Sequence, residues 1–169
     1  LGELFFAGAT GWLYEKVNDG LLDFIVTSAP ELLVILGMII VHEWLHYIVG
    51  ILQGHEPEFG IRFVNTLWIL KEPTPYVVTL DEFITRNENI ASLIAPLLVI
   101  DVIALVAFLA PLPGAVTYYA KIILVVNTAA SMQDLYNVIR LSMMPKSRKF
   151  INVEQDGIST FYCDTQLDE

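Results

Sequence analysis

The chain has 169 residues and a single cysteine, Cys163, so neither an internal disulfide nor a multi-cysteine metal site can form. Charge is scarce as well: Asp, Glu, Lys and Arg together make up 17%. It is also one-sided, with 9 Lys and Arg against 19 Asp and Glu and a net charge of −10. Nucleic acid, whose phosphates must be neutralised by Lys and Arg, is therefore not an expected partner. The acidic residues gather in polar segments, from Glu56 to Glu88 and from Glu154 to Glu169. They read as solvated loops, or as the surface of a protein adapted to a salt-rich cytoplasm. Neither Met nor a basic stretch opens the chain at Leu1, so no signal peptide is expected and the start reads as a trimmed boundary.

What the chain has in excess is apolar surface. Hydrophobic residues make up 55% and the mean hydropathy is +0.59. That is too apolar for an ordinary soluble domain of this length. The expected class is a mainly α, polytopic membrane protein whose first partner is the lipid bilayer.

Residues 1–17 read as a short N-terminal helix, interfacial or the remnant of a span, closed by a turn at Asn18-Asp19-Gly20. Ser28, Pro30 and Glu31 then form an N-terminal capping pattern. The helix they open runs to Leu52, with Gly54 as terminator. That is about 23 residues or ~35 Å, enough to cross the hydrocarbon core. Residues 55–88 are rich in β-formers, and a hairpin or small sheet is expected between 61 and 80, turning at Lys71 to Pro75. Two further core helices follow, over 89–110 and 115–144, joined tightly at Pro111 to Gly114. Pro145 ends the third core helix, and the tail 146–169 carries a hairpin pattern around Asp156-Gly157. The division is thus a membrane-embedded domain over 1–145 and a tail over 146–169. Arg62, Lys71 and Arg86 lie between the first two spans, and Lys146, Arg148 and Lys149 follow the third. The Pro-Gly loop has no charge, so the β segment and the tail are expected in the cytoplasm.

Inside the first span, His42, Glu43 and His46 spell H-E-x-x-H. On a helix, positions four apart share a face, so both imidazoles can reach one ion. Zinc takes two histidine nitrogens, a third protein ligand and a water, and Glu43 stands where a general base toward that water is needed. The bland alternative is a pair of histidines hydrogen-bonded to other helices. Three ionisable residues at membrane depth are costly enough to favour the metal. The polar run from Asn127 to Asp134 interrupts the last apolar helix, and Asp134 sits at a depth close to that of His46. Asp134 is the expected third ligand, against a plain polar residue at a helix end, with His55 in reserve. Asn127, seven positions earlier and on the same face, is a candidate to orient substrate or an oxyanion. Asp101 and Lys121, at similar depth on antiparallel neighbours, are expected to form a structural ion pair. Trp12, Tyr118 and Tyr119 read as interfacial anchors, and Trp44 as a lipid-facing side chain.

An H-E-x-x-H within a transmembrane helix, a β segment after it and an aspartate two spans later resemble the site-2 protease family of intramembrane metalloproteases. A closer similarity is to a membrane family of unknown function described as putative zincin peptidases, over Glu31 to the tail. The resemblance implies one zinc held by His42, His46 and Asp134, Glu43 as catalytic base, and membrane-associated proteins or peptides as substrates. The site-2 proteases usually carry N-x-x-P…L-D-G; here Ser131 and Leu135 stand where Pro and Gly would help open the helix. Two other readings stay open: an inactive metal-binding module or pseudoprotease, and a helical subunit of a larger membrane assembly. The oligomeric state is not encoded in any of these patterns.

Overall fold

The computed structural model describes residues 20–66, 70–154 and 158–164. The helix expected over 1–17, with Trp12, lies outside them. The described chain is mainly helical, with α1 (Leu21–Leu52), α2 (Arg86–Leu109), α3 (Gly114–Ala130) and α4 (Met132–Ser142). A hairpin of β1 (Pro57–Thr66) and β2 (Leu70–Thr79) follows α1. A second sheet, ordered β3-β4-β5, joins β3 (Phe83–Thr85) to the tail strands β4 (Arg148–Glu154) and β5 (Ile158–Asp164). Among the described residues, two helices are long and apolar enough to cross a membrane, and three spans result if α3 and α4, bent by 45°, count as one.

The first helix begins earlier than its capping pattern suggested. Ser28 and Pro30 lie inside α1, and Ser28 is buried. The apolar stretch before them continues the helix, and a proline within it removes only one backbone donor. At the other end the expectation holds. Gly54 takes φ +85°, its N–H bonds to Ile51 O at 2.9 Å, and His55 N–H bonds to Gly50 O at 3.1 Å. This doubly bonded glycine stop turns the chain sharply back. Pro57 then packs so close to Gly50 that a Cβ there would lie 3.1 Å from its ring. Strand β1 therefore climbs back along α1 toward Trp44 and Tyr47, beside Phe59.

The chain does not turn at Lys71 to Pro75, because β1 and β2 pair from Pro57↔Thr79 to Thr66↔Leu70. Pro73 and Pro75, expected to mark the turn, instead lie within β2. They occupy alternate positions on a strand with one partner strand among the described residues, so their missing N–H groups fall on the edge away from β1 and break no ladder bond.

Helix α2 starts with a full capping box. Thr85 Oγ1 accepts from the Glu88 N–H, and Glu88 Oε2 accepts from the Thr85 N–H at 2.8 Å. The single helix expected over 115–144 is two, broken at Ser131. The break falls in the Asn127 to Asp134 run, whose Asn, Thr, Ser and Asp are poor helix formers. The tail forms the expected hairpin, with Phe150 buried and β4 paired to β3. Asn152 Nδ2 also donates to Thr79 O at 3.0 Å, tying the tail to the end of β2.

Much of the apolar surface faces outward: Leu33 is 68% exposed, Ile103 65%, Leu109 71% and Trp44 61%. A soluble monomer rarely shows so much contiguous apolar surface, and a bilayer covers it without cost. The buried core is small by comparison, Met38, Ile100, Ala104 and Ala120 between the helices and Val138, Leu141 and Phe150 beneath them.

Candidate metal centre

His42 and His46 lie one turn apart on α1, with their ring centroids 5.0 Å from each other. Asp134 reaches them from the first turn of α4, just past the break at Ser131. His42 Nε2 lies 3.2 Å from Asp134 Oδ2, His46 Nε2 3.6 Å from the same oxygen, and the two Nε2 atoms are 3.3 Å apart. A tetrahedral ion with ligands at about 2.0–2.2 Å separates them by ~3.3–3.6 Å, so this triangle matches one face of such a tetrahedron.

The outer hydrogen bonds settle which ring nitrogens carry protons. Asn127 is wholly buried, and its Nδ2 donates to Asp101 Oδ1 at 2.8 Å and to Pro96 O at 3.3 Å. Both partners are acceptors, so the atom facing His42 is Asn127 Oδ1, 2.9 Å from Nδ1. His42 must therefore donate from Nδ1. His46 Nδ1 faces the Ser92 carbonyl at 2.9 Å and must donate too. With Nδ1 donating outward, each ring turns its Nε2 inward, toward the other ring and toward the Asp134 carboxylate. Two imidazole nitrogens and a carboxylate oxygen thus converge on one point, where a cation would be held. The donor set, two imidazoles and a carboxylate with outer partners in place, suits zinc.

Glu43 is not one of the three converging ligands, and it lines a cavity of about 860 Å³ together with His42, His46, Asp134, Tyr76 and Val77. Its carboxylate accepts from the backbone N–H of Val77. That bond fixes the orientation of β2: the N–H of residue 77 points to the site, on the same edge as the N atoms of Pro73 and Pro75. The unpaired edge of the hairpin thus forms one wall of the cavity.

Not every expected residue is placed as the sequence suggested. Asn127 is not free to meet a substrate, because all its polar atoms are engaged in holding His42. Asp101 and Lys121 are not paired. Asp101 accepts from Asn127 and, at 2.6 Å, from Thr128 Oγ1, while the Lys121 ammonium lies over the Phe108 ring, 5.2 Å from its centre. The network drawing Asp101 inward is stronger than a cation on a flexible stem. His55 stays outside the metal triangle, bonded through Nδ1 to Glu82 Oε2 at 2.8 Å. The Tyr118 hydroxyl donates to Glu31, joining α3 to α1. The parts that sequence reasoning missed are the backbone ones, the Ser92 carbonyl and the Val77 N–H. Only Pro96 in the middle of an apolar helix pointed to the first.

The model of a family described as "Putative zincin peptidase" matches residues 35–148, which include α1 from Ile35 onward and the whole of α2, α3 and α4. No curated protein and no solved structure matches the chain.

Proposed function

This chain belongs to the putative zincin peptidase family, and from that premise we propose that it is a zinc-dependent endopeptidase acting on membrane-associated proteins or peptides. The observation that carries the reading is the convergence of His42 Nε2, His46 Nε2 and Asp134 Oδ2, all within 4.8 Å of one another, beside the cavity lined by Glu43. His42, His46 and Asp134 hold the metal. Bound there, zinc supplies Lewis acidity to a peptide carbonyl and to the attacking water. Glu43 takes a proton from that water at its carboxylate and passes it to the departing amine. Asn127 and the Ser92 carbonyl keep both imidazoles turned to the metal through the cycle.

A helical substrate has its carbonyls hydrogen-bonded and must first be extended. The edge of β2 offers the Val77 N–H and its neighbouring carbonyls to such a strand, in place of the bond Val77 makes to Glu43. The depth of the site within α1 supports cleavage within or at the edge of the bilayer, as in the site-2 proteases. The β hairpin base and the tail lie on the cytoplasmic side, on the strength of Arg86, Lys146, Arg148 and Lys149 at one end of the bundle and no charge in residues 111–114 at the other.

The test is elemental analysis of the purified chain beside its His42→Ala variant. Near-stoichiometric zinc in the first and none in the second is expected. A folded parent free of every transition metal, after expression in zinc-supplemented medium, overturns the proposal.

A further inference from the structure

Pro96 lies in the interior of α2, fully buried, where a proline ordinarily weakens a helix. Its position is informative. In an α-helix the N–H of residue 96 would bond to the carbonyl of residue 92. Proline has no N–H, so the Ser92 carbonyl is left without its helical donor. That is the carbonyl to which His46 Nδ1 donates, at 2.9 Å. The other side of the same proline serves His42: the Pro96 carbonyl accepts from Asn127 Nδ2 at 3.3 Å, and Asp101 Oδ1 takes the second amide hydrogen at 2.8 Å.

We infer that Pro96 is the positioning residue for both histidines, with Asp101 as its partner on the His42 side. By lacking an N–H it exposes the acceptor that fixes His46, and with Asp101 it aims the Asn127 amide so that Asn127 Oδ1 fixes His42. Neither residue touches the metal triangle. The consequence runs against helix propensity. An alanine at 96 restores the helical bond to Ser92 O and improves the helix, yet it makes that N–H compete with His46 for one carbonyl.

The inference rests on the metal reading for its purpose but not for its test. In the metal-free chain, nitrogen-15 NMR of the imidazoles reports which ring nitrogen carries the proton. The parent is expected to show both histidines as Nδ1–H. In Pro96→Ala, His46 should become a mixture with Nε2–H. In Asp101→Leu, His42 should lose its single tautomer while His46 keeps it. Zinc affinity, read by competition with a chelator, should fall in both by about 10–100-fold, the usual cost of losing a partner behind a metal-bound histidine. A general loss of structure would disturb both rings in both variants, so the residue-by-residue pattern separates positioning from packing. An unchanged His46 tautomer in Pro96→Ala overturns the inference. So does a Pro96→Ala chain that fails to fold, since that makes Pro96 a packing residue. A parent that binds no zinc but shows the tautomer pattern would refute the metal reading and leave the role of Pro96 standing.

Discussion

His42 Nδ1 and Asn127 Oδ1 are 2.9 Å apart, joining α1 to the last turn of α3 through a wholly buried amide. The bond holds the ring's other nitrogen in line with His46 and Asp134. Asn127→Ala removes it and also leaves Asp101 short of a donor. Zinc affinity is expected to drop by about 10–100-fold, measured by chelator competition, with Asp134→Ala losing zinc altogether. An Asn127→Ala chain that holds zinc as tightly as the parent would show that the amide is only a packing element.

Glu43 separates an enzyme from a metal-holding module. Its carboxylate lies beside the triangle without joining it, so Glu43→Gln should leave zinc content unchanged. Gln cannot accept the proton, and loss of a general base costs ~10²–10⁴ in rate. The readout is cleavage of single-span test substrates by purified protein in detergent or vesicles. Equal cleavage by Glu43→Gln and parent would rule out this mechanism, and a parent inactive on a broad panel would favour the inactive-module reading.

Residues whose meaning is carried by spacing were legible before any coordinates. His42, Glu43 and His46 fall on one helix, and the depth count brought Asp134 to them although 88 positions separate it from His46. Gly54 as a stop and Asp156-Gly157 between two tail strands also follow from local backbone preference. What could not be read is where backbone groups without a side-chain signature end up. The register of β2 hides its prolines on an open edge, so Pro73 and Pro75 looked like a turn. Asp101 looked like a partner for Lys121 because depth alone was available, and depth does not say which helix face a carboxylate takes. The pairing of β3 with β4 joins residues more than 60 positions apart with no matching local pattern.

The open edge of β2 makes a separate prediction. Val77 shares the edge of Pro73 and Pro75, positions where proline already sits without disturbing the pairing to β1. Val77→Pro should therefore keep the hairpin and the zinc while deleting the N–H offered to an extended substrate. Substrate binding should weaken, with KM rising about 5–10-fold for the loss of one backbone hydrogen bond of ~1 kcal/mol. Steady-state kinetics with unchanged zinc content decides it, and an unaltered KM would show that substrate does not add to this edge.

The native chain carries its own probe of orientation. Cys163 is its only cysteine, and it is exposed on β5, opposite Lys149 of β4. Strand β4 pairs with β3, which leads directly into α2 at Arg86, and the Arg86 guanidinium donates to Met144 O at 2.8 Å, just beyond α4. The start of α2, the end of α4 and the tail sheet thus share one end of the bundle, and most of the described basic residues share it with them. The opposite end, at residues 111–114, has no charge. Basic residues are retained on the cytoplasmic side, so Cys163 should face the cytoplasm. A membrane-impermeant maleimide applied to intact cells should leave it unlabelled and should label it fully once the membrane is opened. A cysteine introduced at Leu112, in a chain with Cys163→Ser, should show the reverse. Labelling of Cys163 from outside intact cells would invert the whole topology, because the β3-β4-β5 sheet moves as one with the end of the bundle to which it is bonded.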